Sequence, residues 1–176
     1  MDREILLIQP KAGNWENLGI RSPDGLLTMA AMPKKEGYNV KILDLRLEKD
    51  WRAALKKHLD KNPLFVATSC MTGPQITYAL ELSEFVKQHD KSIPVIWGGI
   101  HPTILPENCL DITDYVYRGE GETGVLELAN IVSKGDNIKQ LRNICYKENG
   151  KIVLNPVRPH IAPLDIIPPQ DFDSDN

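Results

Sequence analysis

The sequence predicts an α/β fold of the Rossmann-like (flavodoxin-like) type, a doubly wound parallel five-stranded sheet with a C-terminal β-hairpin. Three observations support this prediction. Short apolar runs alternate with segments of helical spacing, which is typical of parallel strands joined by helices. Right-handed crossovers then favour the strand order 2-1-3-4-5. Finally, an Asn-Gly pair between two later apolar runs is a hairpin signal.

The strands and helices follow from the spacing of the apolar residues. Continuous apolar runs, typical of strands buried on both faces, predict strands at 5–8, 40–43, 64–67, 94–97 and 114–117. Helical spacing predicts helices at 25–36, 51–59, 75–89 and 122–133. Pro33 lies inside the first predicted helix, and we expect it to kink or shorten that helix because proline lacks a backbone N–H.

The composition changes after residue 140. Apolar runs at 144–147 and 151–154 flank the pair Asn149-Gly150, and the sequence that follows is rich in proline and ends in acidic residues. A proline-rich stretch of this kind is typical of an extended linker. We therefore predict an α/β domain over 1–140, a hairpin extension over 141–156 and a linker over 157–176 toward a following domain that this chain does not contain.

The overall charge and the N-terminus limit the classes of partner. The chain has 176 residues, with 21 Lys and Arg against 24 Asp and Glu, and a formal net charge of −3. We therefore expect no general attraction for nucleic acid or for an anionic membrane. The sequence runs from Met1 directly into a predicted strand, and no apolar stretch approaches membrane-spanning length. These features favour a cytoplasmic protein.

The three cysteines do not form a recognisable motif. Cys70, Cys109 and Cys145 are far apart in the sequence, so neither a disulfide framework nor a zinc or iron–sulfur site formed by this chain alone is expected. Cys109 and Cys145 are interpreted as small buried apolar residues. Cys70 follows a predicted strand but has no base near it in sequence, so we expect an ordinary thiol rather than a nucleophile.

Polar and glycine-rich loops follow the third, fourth and fifth predicted strands. The carboxyl ends of parallel strands lie at one edge of a sheet, where open α/β folds hold ligands. Ser69 and Thr72 could bind a phosphate, amide or carbonyl group, or could cap the next helix. His101 could bind a ligand, ligate a metal or bond to local backbone. Glu120 lies between glycines that expose it, but no catalytic set is recognisable in these loops.

Several segments in register carry a resemblance to a known family. They are Pro23-Asp24-Gly25-Leu26-Leu27, Glu36-Gly37-Tyr38-Asn39-Val40, Gly98-Gly99-Ile100-His101-Pro102-Thr103 and Arg118-Gly119-Glu120-Gly121-Glu122. The sequence from about residue 3 to 160 resembles the N-terminal cobalamin-binding domain of cobalamin-dependent radical SAM enzymes. That family includes methyltransferases and the anaerobic magnesium-protoporphyrin ester cyclase.

The resemblance implies a module that holds cobalamin over the carboxyl ends of the strands. S-adenosylmethionine and a [4Fe–4S] cluster would belong to a radical SAM domain, whose CxxxCxxC motif is not in this sequence. The chain alone would then not be catalytic, and the chemistry would be methyl transfer or a related radical reaction. The residues implied to contact the corrin or its nucleotide tail are Ser69, Cys70, Met71, Thr72, Gly73, Gly98, Gly99, Ile100, His101, Pro102, Thr103, Gly119, Glu120, Gly121 and Glu122.

The sequence departs from better-known cobalamin domains at the cobalt ligand. Those domains carry a DxHxxG motif, but no histidine here has Asp two positions before it. Base-off binding without this histidine is therefore implied, and no residue of this chain is predicted as a metal ligand.

Two alternatives remain for the same fold. One is a receiver-like interaction module, which would need acids after the first strand where Gln9-Pro10 stands. The other is a domain or small enzyme that binds a nucleotide or sugar nucleotide, because one fold hosts many functions.

Overall fold

A computed structural model describes residues 3–170 of the chain. Met1, Asp2 and the end of the predicted linker, 171–176, lie outside the described residues. The strands are β1 (Glu4–Gln9), β2 (Asn39–Asp44), β3 (Phe65–Ser69), β4 (Val95–Gly98), β5 (Tyr115–Tyr117), β6 (Ile144–Glu148) and β7 (Lys151–Leu154). They form one seven-stranded sheet with the order β2-β1-β3-β4-β5-β6-β7.

The flavodoxin-like class and the order 2-1-3-4-5 of the first five strands are confirmed, because these strands pair in parallel. The number of strands was wrong: the sheet has seven, not five. The hairpin joins the sheet because β6 pairs antiparallel with β5, with Tyr115 opposite Tyr146 and Tyr117 opposite Ile144. This pairing covers the edge of β5, whose backbone N–H and C=O groups would otherwise be unpaired on that side.

The helices lie on both faces of the sheet, as a doubly wound fold requires. On one face Ile5 and Leu7 pack in a cluster with Leu26 and Val125, while Leu6 on the other face packs in a second cluster. The helices are α1 (Asp24–Lys35), α2 (Trp51–Leu59), α3 (Gln75–His89), α4 (Ile100–Ile104), α5 (Pro106–Cys109) and α6 (Gly124–Lys134). The first cluster includes residues of α1 and α6, and the second includes residues of α2 and α3.

Periodicity predicted the four longer helices but not the shorter elements. Helices α4 and α5 have five and four residues, and a 3-10 helix at Gly13–Leu18 has six, so none repeats a helical period often enough to be recognised. Pro33 does not break α1, which continues for two residues beyond it. In the last turn the proline removes only one backbone donor. Within 3–170, no helix has both the length and the hydropathy to cross a bilayer.

Candidate cofactor site

The loops after β3 and β4 are joined by their main chains. Ser69 pairs with Gly98 at the ends of the two strands. Beyond that pair, the Cys70 N–H donates to the Gly98 carbonyl oxygen at 2.8 Å, and the His101 N–H donates to the Cys70 carbonyl oxygen at 3.1 Å. Main-chain hydrogen bonds therefore join the two loops at the carboxyl edge of the sheet. We call these joined loops the platform.

Gly99 makes this junction possible. Its φ of +99° lies where side chains are rarely tolerated. A Cβ at this position would also lie 2.9 Å from both the backbone nitrogen and the backbone oxygen of Cys70. The close approach of the two loops thus requires glycine.

Thr103 connects the loop after β5 to the same platform. Its hydroxyl donates to the Gly99 carbonyl oxygen at 2.8 Å and accepts the Gly119 N–H at 3.0 Å. All three loops singled out from the sequence are consequently held together in the structure. The Thr103 hydroxyl thus holds the loops after β4 and β5 in position relative to each other.

His101 and Thr72 bond to each other. The His101 side chain is only 7% exposed, and its Nδ1 lies 3.1 Å from the Thr72 hydroxyl oxygen. Thr72 therefore does not cap α3, whose N-cap is Pro74. Instead, Gln75 at the start of α3 accepts the Met71 N–H at 2.9 Å. These bonds fix the loop that carries Ser69 to Gly73.

The cysteines are buried, as predicted for Cys109 and Cys145. Cys70 packs in the core on the α2–α3 face, and burial, with a smaller effect of Cys109, raises the pKa of its thiol to about 12. This thiol therefore stays protonated at neutral pH, as expected for an ordinary cysteine. Among residues 3–170 no cluster of three or more His, Cys, Asp or Glu side chains could hold a metal ion.

A cavity of about 250 Å³ opens beside the platform, between α1 and α6 at the ends of β3, β4 and β5. We call it the α1–α6 cavity. Of the sequence-predicted residues, those that line it are Ser69, Gly98, Gly99, Gly119, Glu120, Gly121 and Glu122. The predicted residues outside its lining are Cys70, Met71, Thr72, Gly73, Ile100, His101, Pro102 and Thr103.

Much of the cavity wall was missed by the sequence analysis. Leu26 and Met29 of α1 and Val125 of α6 line the cavity. Their helical spacing predicts apolar helix positions but does not indicate a cavity. Tyr117 of β5 also lines the cavity, and burial raises its pKa to about 12. A Cβ on Gly121 would lie 2.5 Å from the Met29 Sδ, so this glycine lets the loop pack against α1.

A segment near the C-terminus fastens the loop after β5. Asn143, with a φ of 67°, donates to the Arg118 carbonyl oxygen at 2.6 Å and accepts the Arg158 N–H at 2.9 Å. Arg158 also forms an ion pair with Glu127 of α6. Farther on, the Gln170 side chain donates to the Asp24 carbonyl oxygen at 3.0 Å. We call residues 156–170 the strap, because it bonds to both α6 and α1.

The strap also bonds to Glu120. The Ile161 N–H donates to one carboxylate oxygen at 2.9 Å, and His160 Nδ1 lies 2.9 Å from the other. The Ile161 N–H and then His160 lower the pKa of Glu120. Glu120 therefore stays ionised at neutral pH and holds the strap over the loop that follows β5.

The strap contact should depend on pH. Since the pKa of Glu120 in the folded chain lies below the ordinary value of 4.5, the contact stabilises the fold above that value and is lost as pH falls through the lower pKa. We expect the Ile161 amide resonance to titrate in NMR spectra with a midpoint below pH 4.5. Glu120→Gln should abolish this titration, because the amide that replaces the carboxylate does not ionise. An unchanged Ile161 titration in the variant would contradict the assignment.

The fold is an α/β module with a cavity at the carboxyl ends of its parallel strands, the edge at which open α/β folds hold ligands. A sequence profile of the B12 binding domain matches residues 16–129, and the chain belongs to this family. The resemblance predicted from the glycine-rich motifs is thereby confirmed. The family match also favours cobalamin over the receiver-like and nucleotide-binding alternatives.

Two curated relatives and one solved structure are similar over most of the chain. An uncharacterized methyltransferase of Pyrococcus horikoshii is 34% identical over 155 residues, covering 86% of this chain and 33% of that protein. The anaerobic magnesium-protoporphyrin IX monomethyl ester cyclase of Rubrivivax gelatinosus is 29% identical over 176 residues, covering 94% and 32%. This chain thus spans about a third of each relative.

The solved structure is the radical S-adenosylmethionine methyltransferase TsrM of Kitasatospora setae with cobalamin and a [4Fe–4S] cluster bound. It superposes with a TM-score of 0.76 at 22% identity, covering 89% of this chain and 31% of that chain. At this identity the likeness shows a shared fold.

Proposed function

We propose that the chain binds cobalamin base-off, with the corrin over the carboxyl ends of the strands and the base of the nucleotide tail in the α1–α6 cavity. The observation that carries the proposal is the size and lining of this cavity. Its volume of about 250 Å³ is below the range of about 300–1,000 Å³ typical of drug-sized ligands. It therefore suits one ring system and not a macrocycle, and its mainly apolar wall suits an aromatic base.

The surface next to the cavity supports the position of the corrin. Met71, Ile100 and Trp15 expose apolar side chains at this end of the sheet, with Ile100 55% exposed. A large ring with apolar faces would cover such side chains, whereas the interior of the cavity would be too small for it. Of the predicted corrin contacts, Met71 and Ile100 fit this outer surface.

The state of His101 supports binding without a histidine ligand to cobalt. The ring is almost fully buried and bonds to Thr72, so its contacts hold the loop after β3 in place. Cobalamin supplies a cobalt centre for methyl transfer or related radical chemistry, while the residues of this chain bind and orient the cofactor.

We further propose that the module acts with a radical SAM domain that holds S-adenosylmethionine and a [4Fe–4S] cluster. The support is that its curated relatives, a methyltransferase and an ester cyclase, are about three times as long as this chain. The chain itself would bind cofactor without turning over substrate. The strap and the rest of 157–176 would then be the connection between the two parts.

Equilibrium dialysis of the chain against hydroxocobalamin tests the proposal. We expect one equivalent to be retained with a base-off absorption spectrum, and none by the chain unfolded in urea. His101→Ala should leave the spectrum of bound cobalamin unchanged, because the histidine contacts Thr72 and not cobalt. Failure to retain cobalamin, or a base-on spectrum, would contradict the proposal, and retention of a nucleotide instead would favour the alternative class.

A further inference from the structure

Two polar atoms in the wall of the α1–α6 cavity lack partners. The Tyr117 hydroxyl and the Glu122 Oε2 are both buried and have no hydrogen-bond partner among the described residues. Tyr117 is only 5% exposed. Buried polar groups in native proteins are nearly always paired, so two such atoms in one cavity indicate that an occupant of the cavity bonds to them.

The position of the Tyr117 ring is fixed by its surroundings. Its backbone lies in β5, paired with Ile144 of β6. Gly124, at the start of α6, packs directly on the ring: a Cβ there would lie 2.3 Å from Tyr117 Cζ and 2.4 Å from its hydroxyl oxygen. The ring therefore has helix α6 against it and cannot turn its hydroxyl to water without moving that helix.

The rest of the wall is mostly apolar, so the occupant needs a particular chemistry. Leu7, Ala67 and Ile96 of the sheet and Leu128 of α6 face the same space. An ionised carboxylate only accepts hydrogen bonds, whereas a tyrosine hydroxyl both donates and accepts. A flat ring with a hydroxyl group at one edge can satisfy both atoms, since it donates to Glu122 and accepts from Tyr117.

We propose that Tyr117 and Glu122 determine which lower base the module accepts, and that they select a cobamide whose base carries a ring hydroxyl over one whose base carries only methyl groups. This inference rests on the proposed function, because it requires the nucleotide tail to enter the α1–α6 cavity. A dimethylated ring edge would leave both polar atoms buried and unpaired, which is the physical basis of strong discrimination against analogues that lack a hydroxyl.

Two cobamides that differ only in the lower base test the inference in equilibrium dialysis. One carries 5-hydroxybenzimidazole and the other 5,6-dimethylbenzimidazole, while cobinamide, which lacks the tail, serves as a third ligand. We expect the chain to bind the hydroxylated cobamide about tenfold more tightly than the dimethylated one. In Tyr117→Phe the preference should fall to about twofold or less, through weaker binding of the hydroxylated cobamide.

Tyr115→Phe is the matched control. Tyr115 lies on the same strand and packs against the same cluster, but it does not line the cavity. This variant should keep the tenfold preference. Glu122→Leu, at a more exposed position, provides a second variant that should also lose the preference, in case Tyr117→Phe does not fold.

The possible failures are distinguishable. Equal binding of the two cobamides, a preference for the dimethylated base, or a preference that survives in both cavity variants would overturn the inference but leave the proposed function standing. If the chain retains neither cobamide nor cobinamide, both the proposed function and the inference are overturned.

Discussion

Gly99→Ala is expected to lower the free energy of unfolding by about 4 kcal/mol. Part of the loss is backbone strain, because the φ of +99° and ψ of −171° at this position are almost restricted to glycine and cost other residues about 1–3 kcal/mol. The remainder comes from the new Cβ, which would meet the nitrogen and oxygen of Cys70 at 2.9 Å. Backbone atoms of a neighbouring loop cannot move aside as the end of a flexible side chain can. Urea denaturation followed by circular dichroism measures the change.

Gly19→Ala separates strain from collision. Gly19 has a nearly equal φ of +104°, but nothing lies within 4 Å of the position that its Cβ would take. This variant should lose only the strain component, about 2 kcal/mol. If both variants lose the same free energy, the close approach of the loops at Gly99 contributes nothing to stability, and the bonded platform described above would be wrong.

The sequence predicts a strand or helix correctly where the apolar pattern within that segment alone determines its secondary structure. Strands β1 and β3 appear as continuous apolar runs because helices cover both of their faces, and α3 repeats its apolar spacing through 15 residues. The pairing of the hairpin with β5 could not be predicted in this way. The Asn149-Gly150 turn fixes β6 and β7 relative to each other, but which sheet edge they join depends on contacts distant in sequence.

The candidate site could be predicted only in part, because the sequence shows the loops at the strand ends but not the space between distant helices. Polar and glycine-rich loops at strand ends are visible in sequence, and Thr103 and Gly99 do join those loops. The cavity was not predicted, because Met29 and Val125 repeat at the same helical spacing whether they face other side chains or an open space. The strap shows the same limit: its contacts from His160 to Glu120 and from Gln170 to Asp24 are single polar contacts without any periodic pattern.

Gly25→Trp should weaken the binding of hydroxocobalamin by about 100-fold. Gly25 lines the α1–α6 cavity, and nothing lies within 4 Å of the position of a Cβ there, so a side chain can extend from it without disturbing the fold. Indole is close in size to a benzimidazole and would occupy the space proposed for the base. Burial of one aromatic group is worth up to about 3 kcal/mol, and about 1.4 kcal/mol corresponds to a tenfold change in affinity, which gives the expected factor.

The stability of Gly25→Trp should not fall together with its affinity for hydroxocobalamin. A loss of affinity can then be attributed to the filled cavity and not to unfolding. Gly25 lies in the first turn of α1, where replacing glycine favours the helix, so the melting temperature of Gly25→Trp should be unchanged or higher. Gly25→Ala is the matched control: it shares the effect on the helix but adds only a methyl group, and it should bind hydroxocobalamin almost normally. Cobinamide, which has no base to place in the cavity, should bind the wild type and Gly25→Trp with similar affinity. An equal loss for both ligands would mean that residue 25 contacts the corrin, and the base would then have to lie elsewhere than between α1 and α6.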